Sequence, residues 1–418
     1  MKRYVFFAVI LLLALTARAQ QDSNVEAEIP SDSLPSDTLQ SIIEPDSLQA
    51  VYVPRVSLLT CSPGTEVWQQ YGHTAIRFED TEKDIDVVFN YGLFDFAAPH
   101  FIWRFCLGET DYVVGAETYD SFEKEYTERG SYVAEQQLNL TADEVTCLWN
   151  LLAQNCRPEN RTYRYNFFYN NCRTKARDII YQSLASPVSV ARTDSVSLRH
   201  VLHDYNAAYP WASFGIDLLL GVEADRLAPH DVQEFAPLNL AESFSRATRE
   251  GENLVAGTTV INPTAPLPKG HRFPLTPLQT MILVLLVTAI VCTLELLTGL
   301  RFWPYDIILY GLQGIGGIVV AFLFLFSTHP TVESNILVII LNPLVLVLLP
   351  FLLRQARRRT FPWAAWTEMG LIVLLVVFWL FVRQDIPAAA WVFVGSLFLR
   401  TGRHIVRTMN NGKKKDEK

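Results

Sequence analysis

Residues 165–180 read Tyr165-Asn166-Phe167-Phe168-Tyr169-Asn170-Asn171-Cys172-Arg173-Thr174-Lys175-Ala176-Arg177-Asp178-Ile179-Ile180. Asn170 and Asn171 are good N-cap residues, because a short side-chain oxygen accepts from the orphan N–H groups of a first helical turn. The helix they open carries Cys172, Ala176, Ile179 and Ile180 at i, i+4, i+7 and i+8, one face of a 3.6-residue period. That spacing predicts Cys172 in the first turn, pointing inward toward a sheet that the helix covers. A helix N-terminus favours an anion, and Arg173 adds positive charge beside it, so a thiolate is favoured there.

Upstream of this stretch the pattern changes to strands. Val56–Leu59, Asp86–Tyr91, Asp111–Ala116 and Tyr132–Leu140 read as extended segments. In His73–Phe78 the residues alternate, Thr74, Ile76 and Phe78 on one face and His73, Ala75 and Arg77 on the other. Thr65–Gln70 suits a short helix. Thr141 followed three residues later by Glu144 is a capping box for a helix running to about Asn155. The order predicts an α+β domain, with helices packed on an antiparallel sheet.

A thiolate needs a base. His73, His100, His200, His203 and His230 are available, and His73, following a Tyr71-Gly72 bend at the start of a strand, is the best placed. The same residues also suit a small buried hydrophobe and a hydrogen-bonded strand end, and spacing alone does not choose between the two readings. The remaining cysteines, Cys61, Cys106, Cys147, Cys156 and Cys292, fit neither a zinc site nor an obvious bridge framework, so no metal or cofactor is expected. Cys106 and Cys147 read as core residues.

The two ends of the chain are of other kinds. Lys2 and Arg3, the apolar run Val5–Leu15 and Ala17-Arg18-Ala19 form a secretory signal peptide over residues 1–19. Residues 20–51 carry acids, Ser and Pro, with no Lys or Arg before residue 51, and read as a disordered acidic linker. The globular domain is expected over 52–265, a membrane domain over 266–406 and a basic tail over 407–418. Five apolar segments are predicted to span a bilayer as an all-α bundle: Leu278–Gly299, Ile307–Phe326, Ile336–Leu353, Ala364–Val382 and Ala388–Leu399, the last short.

Net charge is −8, with acids in the first half and basic residues gathered at the C-terminal end, which is not the pattern of a nucleic-acid binder. Arg301, Arg354, Arg357–Arg359 and the Arg400–Lys415 cluster alternate with loops holding only Arg383. By the positive-inside rule the basic loops are cytoplasmic, the globular domain is outside and the C-terminus is inside. Glu295, Gln313, His329, Glu333, Asn335, Asn342 and Glu368 are polar residues in or near the spans. Gly311, Gly314, Gly316 and Gly317 suit close helix packing.

Three motifs together resemble a known family: Gly72-His73-Thr74-Ala75-Ile76-Arg77-Phe78, Asn90-Tyr91-Gly92-Leu93-Phe94-Asp95-Phe96, and Tyr165–Arg173. They are similar to the Lnb N-terminal periplasmic domain, and the C-terminal spans resemble the Lnb-like membrane domain. The resemblance implies a bacterial lipoprotein N-acyltransferase of the inner membrane, with a papain-like domain similar to permuted NlpC/P60 and lecithin:retinol acyltransferase folds. It implies Cys172 as nucleophile and His73 as base, with Asn90 and Tyr91 as candidates to orient the imidazole. Its implied partners are a membrane phospholipid as acyl donor and diacylglyceryl lipoproteins as acceptor. Backbone N–H groups at the start of the Cys172 helix are expected to hold the oxyanion. A cell-wall cysteine peptidase of NlpC/P60 type, a phospholipase or thioesterase, and a non-catalytic receptor or scaffold are the alternatives.

Overall fold

The computed structural model describes residues 52–64, 69–95, 97–191, 195–263, 273–358 and 360–416, and of residues 410–416 the backbone alone. The expected signal peptide, the acidic linker, most of the Thr65–Gln70 helix, Arg359 and the side chains of Lys413–Lys415 lie outside the described residues. The chain divides into two compact units. One holds the described residues up to 208 together with 227–263, and the other holds Tyr209–Arg226 and the described residues from 273 onward.

The first unit is built on a sheet. Its elements are β1 (Arg55–Cys61), β2 (His73–Asp80), β3 (Ile85–Leu93), α1 (Phe101–Leu107), β4 (Asp111–Thr118), α2 (Tyr119–Glu128), β5 (Val133–Leu138), α3 (Ala142–Asn155), β6 (Thr162–Arg164), α4 (Cys172–Ser183), β7 (Ser189–Val190) and α5 (Leu198–Asn206). After the excursion that carries α6 (Pro210–Leu219), it is completed by α7 (His230–Gln233), α8 (Pro237–Arg246), β8 (Ala247–Arg249), β9 (Glu252–Asn253) and β10 (Val255–Asn262). Seven strands form one sheet in the order β10-β5-β1-β2-β3-β4-β6, and β7, β8 and β9 form a small second one. Every pairing in the large sheet is antiparallel.

Period-2 alternation sorts the two faces of this sheet. Val56, Leu58, Ile76, Phe78, Val87, Phe89 and Tyr91 pack against α3, α4 and α8, which contribute Trp149, Ile180 and Phe244 among others. Leu59, Cys61, Ala75, Val88 and Val133 face the other way, onto Phe122 and Tyr126 of α2. Burying each such large apolar side chain stabilises the fold by roughly 1.5–3 kcal/mol. The Thr141–Glu144 capping box of α3 forms in both directions. Cys147 corrects the sequence expectation, because it lies on the exposed face of α3 and not in the core.

The second unit is helical. It comprises α9 (Pro277–Thr298), α10 (Trp303–Phe326), α11 (Leu344–Arg358), α12 (Trp363–Val382) and α13 (Ala388–Asp416). Among the described residues, four stretches are long and apolar enough to cross a membrane: Pro277–Thr298, Trp303–Phe326, Ile336–Arg358 and Trp363–Val382. Five were expected. Ala388–Leu399 does not qualify because its helix runs on through Arg400, Arg403, His404 and Arg407. Those charges are not left bare. Arg400 is fully buried, with Nε donating to Asp306 Oδ1 at 2.5 Å and Nη2 to Glu295 Oε1 at 2.9 Å. His404 Nε2 lies 3.1 Å from the same Asp306 oxygen. A charge in an apolar bundle persists only when paired in this way.

The third stretch is broken. A 3₁₀ turn at Ile336–Ile339 stops before α11 begins at Leu344. Gln313 Nε2 reaches across to Ile340 O at 2.9 Å and to Glu368 Oε1 at 2.6 Å. Of the four glycines expected to aid packing, Gly314 and Gly317 abut Leu346 and Asn342, whereas Gly311 and Gly316 face open space. Tyr209–Arg226 is tied into this unit by backbone. Asn335 Nδ2 donates to Leu218 O at 2.8 Å, Gln384 Nε2 to Leu220 O at 3.0 Å, and Trp211 Nε1 to Leu275 O at 2.9 Å.

Candidate active site

The site lies where α4 begins beside the ends of β2 and β3. Asn171 opens α4 with extended backbone, its Oδ1 accepting from Arg173 N at 2.9 Å and Thr174 N at 3.1 Å. Asn171 N in turn donates to Thr174 Oγ1 at 2.9 Å, completing a reciprocal cap. Asn171 is fully buried, and its amide also donates to Phe235 O at 3.3 Å. The first turn is thereby fixed, and Cys172, Ala176, Ile179 and Ile180 are buried on one face as their spacing predicts.

Two glycines make room for the pair. At Gly72 the backbone has φ +74°, and a Cβ there would stand 2.4 Å from Cys61 O, so only glycine allows the bend that delivers His73 into β2. At Gly92 φ is +96°, and a Cβ would stand 3.2 Å from Cys172 Cβ. Gly92 therefore lets the start of α4 settle against the end of β3. Gly92→Ala is expected to destabilise the fold by about 1–3 kcal/mol. By shifting the thiol it should also slow any reaction that uses the Cys172–His73 pair about tenfold or more. Thermal unfolding and a single-turnover assay read the two effects, and a variant equal to wild type in both would remove this role.

His73 Nε2 lies 2.9 Å from Asn90 Oδ1. Asn90 Nδ2 in turn donates to Glu117 Oε1 across the β3–β4 pair. The carboxylate accepts, so the Asn90 amide must turn its oxygen toward the histidine, and Nε2 is then the protonated ring nitrogen. Nδ1 is left as the base for the thiol, the tautomer that proton abstraction requires. Glu117 is buried, and burial, then repulsion from Glu125, pushes its carboxyl up to about 7.

The electrostatics match this order. Burial opposes ionisation of Cys172, but the charge of His73, the charge of Arg173 and hydrogen bonding from both outweigh it, and the thiol falls to about 6. Burial works against a charged His73, yet the neighbouring Cys172 charge and its hydrogen bonds to Cys172 and Asn90 raise it above the ordinary imidazole value. The two shifts describe a thiolate–imidazolium pair. Burial drives Cys61, Cys106 and Cys156 the other way, upward. All six cysteines are free, so Cys172 alone combines a lowered pKa with a base.

A pH prediction follows from these directions. Iodoacetamide should modify Cys172 at a rate that rises with pH through about 6 and levels off above 7. An ordinary thiol would rise around two or three pH units higher. Peptide mapping of the alkylated cysteine against pH makes the test, and a midpoint above 8 would contradict the pairing.

Aromatic rings surround the thiol. Tyr112 stacks on Tyr165 with centroids 4.0 Å apart, Phe94 stacks on Tyr112 at 4.8 Å and Phe101 on Phe94 at 5.5 Å. Burial raises the phenols of Tyr112, Tyr163 and Tyr165, and the Cys172 charge adds to it, so all three stay neutral. This ladder of rings leads from α1, where Ile102 and Trp103 are exposed, toward Cys172.

Of the residues singled out in the sequence, the fold brings Cys172, His73 and Asn90 together. It does not bring in Tyr91. Adjacent strand residues point to opposite faces, and the Tyr91 hydroxyl accepts from Asn155 Nδ2 at 2.9 Å within the helix-covered core. Glu117 was not visible in the sequence, because only the β3–β4 register carries it to Asn90. Nor do the backbone N–H groups of the first turn form an oxyanion site as expected. Those of Arg173 and Thr174 are taken by the Asn171 cap, and only that of Cys172 remains.

Residues 41–204 match the family model described as the Lnb N-terminal periplasmic domain, and residues 269–412 match that described as the Lnb transmembrane domain. The two models follow each other in the chain and between them span most of it. Neither a curated protein nor a solved structure matches the chain.

Proposed function

We propose that this chain, which belongs to the Lnb family and is a membrane protein with a periplasmic N-terminal domain, is a thiol-dependent lipoprotein N-acyltransferase. The observation that carries this reading is the Cys172–His73–Asn90 constellation, with its lowered thiol pKa, on a chain that also holds four membrane-spanning candidates. A helix-start cysteine beside a strand histidine and an orienting amide also favours a papain-like reading of the sheet unit.

The reaction has two halves. His73 Nδ1 takes the proton of Cys172, and the thiolate attacks an ester carbonyl of a phospholipid, forming a C–S bond and pushing an electron pair onto oxygen. When that oxyanion collapses the C–O bond breaks, and the departing alkoxide takes the proton from His73, leaving as lysophospholipid. The α-amino group of a diacylglyceryl lipoprotein then attacks the thioester. A C–N bond forms, the C–S bond breaks, and His73 accepts the amine proton. The aromatic ladder supplies a dry surface for an acyl chain, which the amine step needs if water is not to compete.

The membrane helices fit the same purpose, since donor and acceptor are both anchored in lipid. We read α13 as a fifth span whose basic residues are neutralised by Glu295 and Asp306, with the C-terminus cytoplasmic and the protein in the inner membrane. Mass spectrometry of lipoprotein N-termini tests the assignment. A strain lacking this gene and any redundant enzyme should accumulate lipoproteins with a free α-amine, restored by wild type. Lipoproteins that remain fully N-acylated in that strain would defeat it.

A further inference from the structure

The oxyanion formed in that mechanism needs donors, and the helix cap has removed most of those expected. Among the first-turn amides only the Cys172 N–H is left without a hydrogen bond. One backbone donor does not make a complete oxyanion site, because a developing alkoxide in a dry pocket takes two or more.

Arg173 is the unusual residue beside it. Its side chain is buried, 3% exposed, yet Nε and Nη1 have no hydrogen-bond partner. Among the described residues neither carboxylate nor carbonyl holds it, whereas Arg77, Arg177, Arg249 and Arg400 are all ion-paired. The guanidinium carbon sits 6.0 Å from the Phe167 ring centroid and 5.9 Å from that of Phe235, a weak substitute for a counter-ion. Leaving buried charged donors unsatisfied is costly, and such groups need a reason. Arg173 directly follows the nucleophile in the first turn of α4, and its charge, after that of His73, lowers the Cys172 thiol.

We infer that Arg173 is a catalytic residue whose free guanidinium N–H groups, with the Cys172 backbone N–H, hold the oxyanion of the tetrahedral intermediate. The geometry follows from the chemistry. The carbonyl carbon becomes bonded to Cys172 Sγ, so its oxygen lies within about 3 Å of the sulfur, where the unpartnered donors of the adjacent residue can be brought to it. A group that served only to bind a phospholipid headgroup would act several bonds further away. The unsatisfied donors are thus filled only during the reaction, and the stabilisation appears in the transition state and not in the free enzyme.

This inference rests on the acyl-enzyme mechanism proposed above but not on the identity of the donor lipid, so the test uses a p-nitrophenyl ester as probe. Detergent-solubilised full-length protein is compared as wild type, Arg173→Gln and Arg173→Lys, all at pH 9, where a thiolate is present in each. Two reactions are followed. Iodoacetamide alkylation of Cys172 consumes the thiolate without forming an oxyanion. Acylation by the ester, read as the p-nitrophenolate burst, passes through one. Arg173→Gln should alkylate within about threefold of wild type but acylate about 100-fold more slowly. Arg173→Lys, which keeps the charge and loses the planar fork, should acylate about tenfold more slowly with alkylation unchanged, and decides the matter if Arg173→Gln does not fold. Ester acylation within threefold of wild type in the folded variants, or an equal loss in both reactions, would overturn the assignment. Failure of phospholipid to acylate the wild type, with the ester result as expected, would count against the donor class and leave Arg173 in its role.

Discussion

Cys172→Ala is expected to abolish acyl transfer while leaving a folded protein in the membrane. The nucleophile is the only group in the site that can carry the acyl chain, and Ala offers no covalent route. Loss of an activated nucleophile that works as a unit with its base lowers turnover by about 10⁴-fold or more. The fold should survive because α4 is held by the Asn171–Thr174 cap and by Ala176, Ile179 and Ile180, none of which depends on the sulfur. Lipoprotein N-termini in cells carrying this variant should match those of the deletion strain, with wild-type protein abundance in the membrane fraction. Normal N-acylation by the alanine variant would return the chain to the scaffold reading.

His73→Ala is expected to be nearly as severe, for two separable reasons. Removing the base costs about 10²–10⁴-fold in the proton-transfer step. It also removes the charge that holds Cys172 down near 6, so the buried thiol must titrate higher. Each pKa unit regained removes about a factor of ten in thiolate at neutral pH. The alkylation midpoint of Cys172 should therefore move from about 6 toward or above the ordinary thiol range, and acyl transfer at pH 7 should fall by about 10³-fold or more. Raising the pH should recover the alkylation rate but not the transfer rate, because the leaving alkoxide still lacks its proton donor. A variant that keeps the low midpoint would show that Arg173 alone ionises the thiol.

Much of this was legible before folding was considered, and what was not has a common cause. The Tyr165–Ile180 stretch states its own helix, its cap and its buried face, since capping and 3.6-residue periodicity are local. Strand alternation placed Ile76 and Phe78 opposite Ala75 for the same reason. Asn90 and Tyr91 are neighbours in sequence and could not be separated until the register set Asn90 opposite Gly115 and turned Tyr91 to the other face. Glu117 sits 27 residues from the amide it orients. The free donors of Arg173 become visible only when burial and partners are known.

The helical unit repeats the lesson. Of the five segments expected from hydropathy, the first four qualify because each is a long apolar run. Hydropathy cannot find that Arg400 in α13 meets Glu295 and Asp306, residues some 100 positions earlier, which neutralise the charge that disqualifies the segment. Pro210–Leu219 falls inside the 52–265 stretch read as the globular domain, and its place in the helical unit depends on Asn335 and Gln384, far along the chain.

The central claim is a covalent acyl-enzyme at Cys172, and intact-mass analysis tests it directly. Full-length protein is incubated with a phospholipid of defined acyl chains and no acceptor. The account predicts a mass gain of one acyl chain, mapped to Cys172, cleaved by neutral hydroxylamine, and discharged as an N-acyl product when a diacylglyceryl peptide with a free amine is added. No adduct on the wild type, or an adduct that persists in Cys172→Ala, would contradict it.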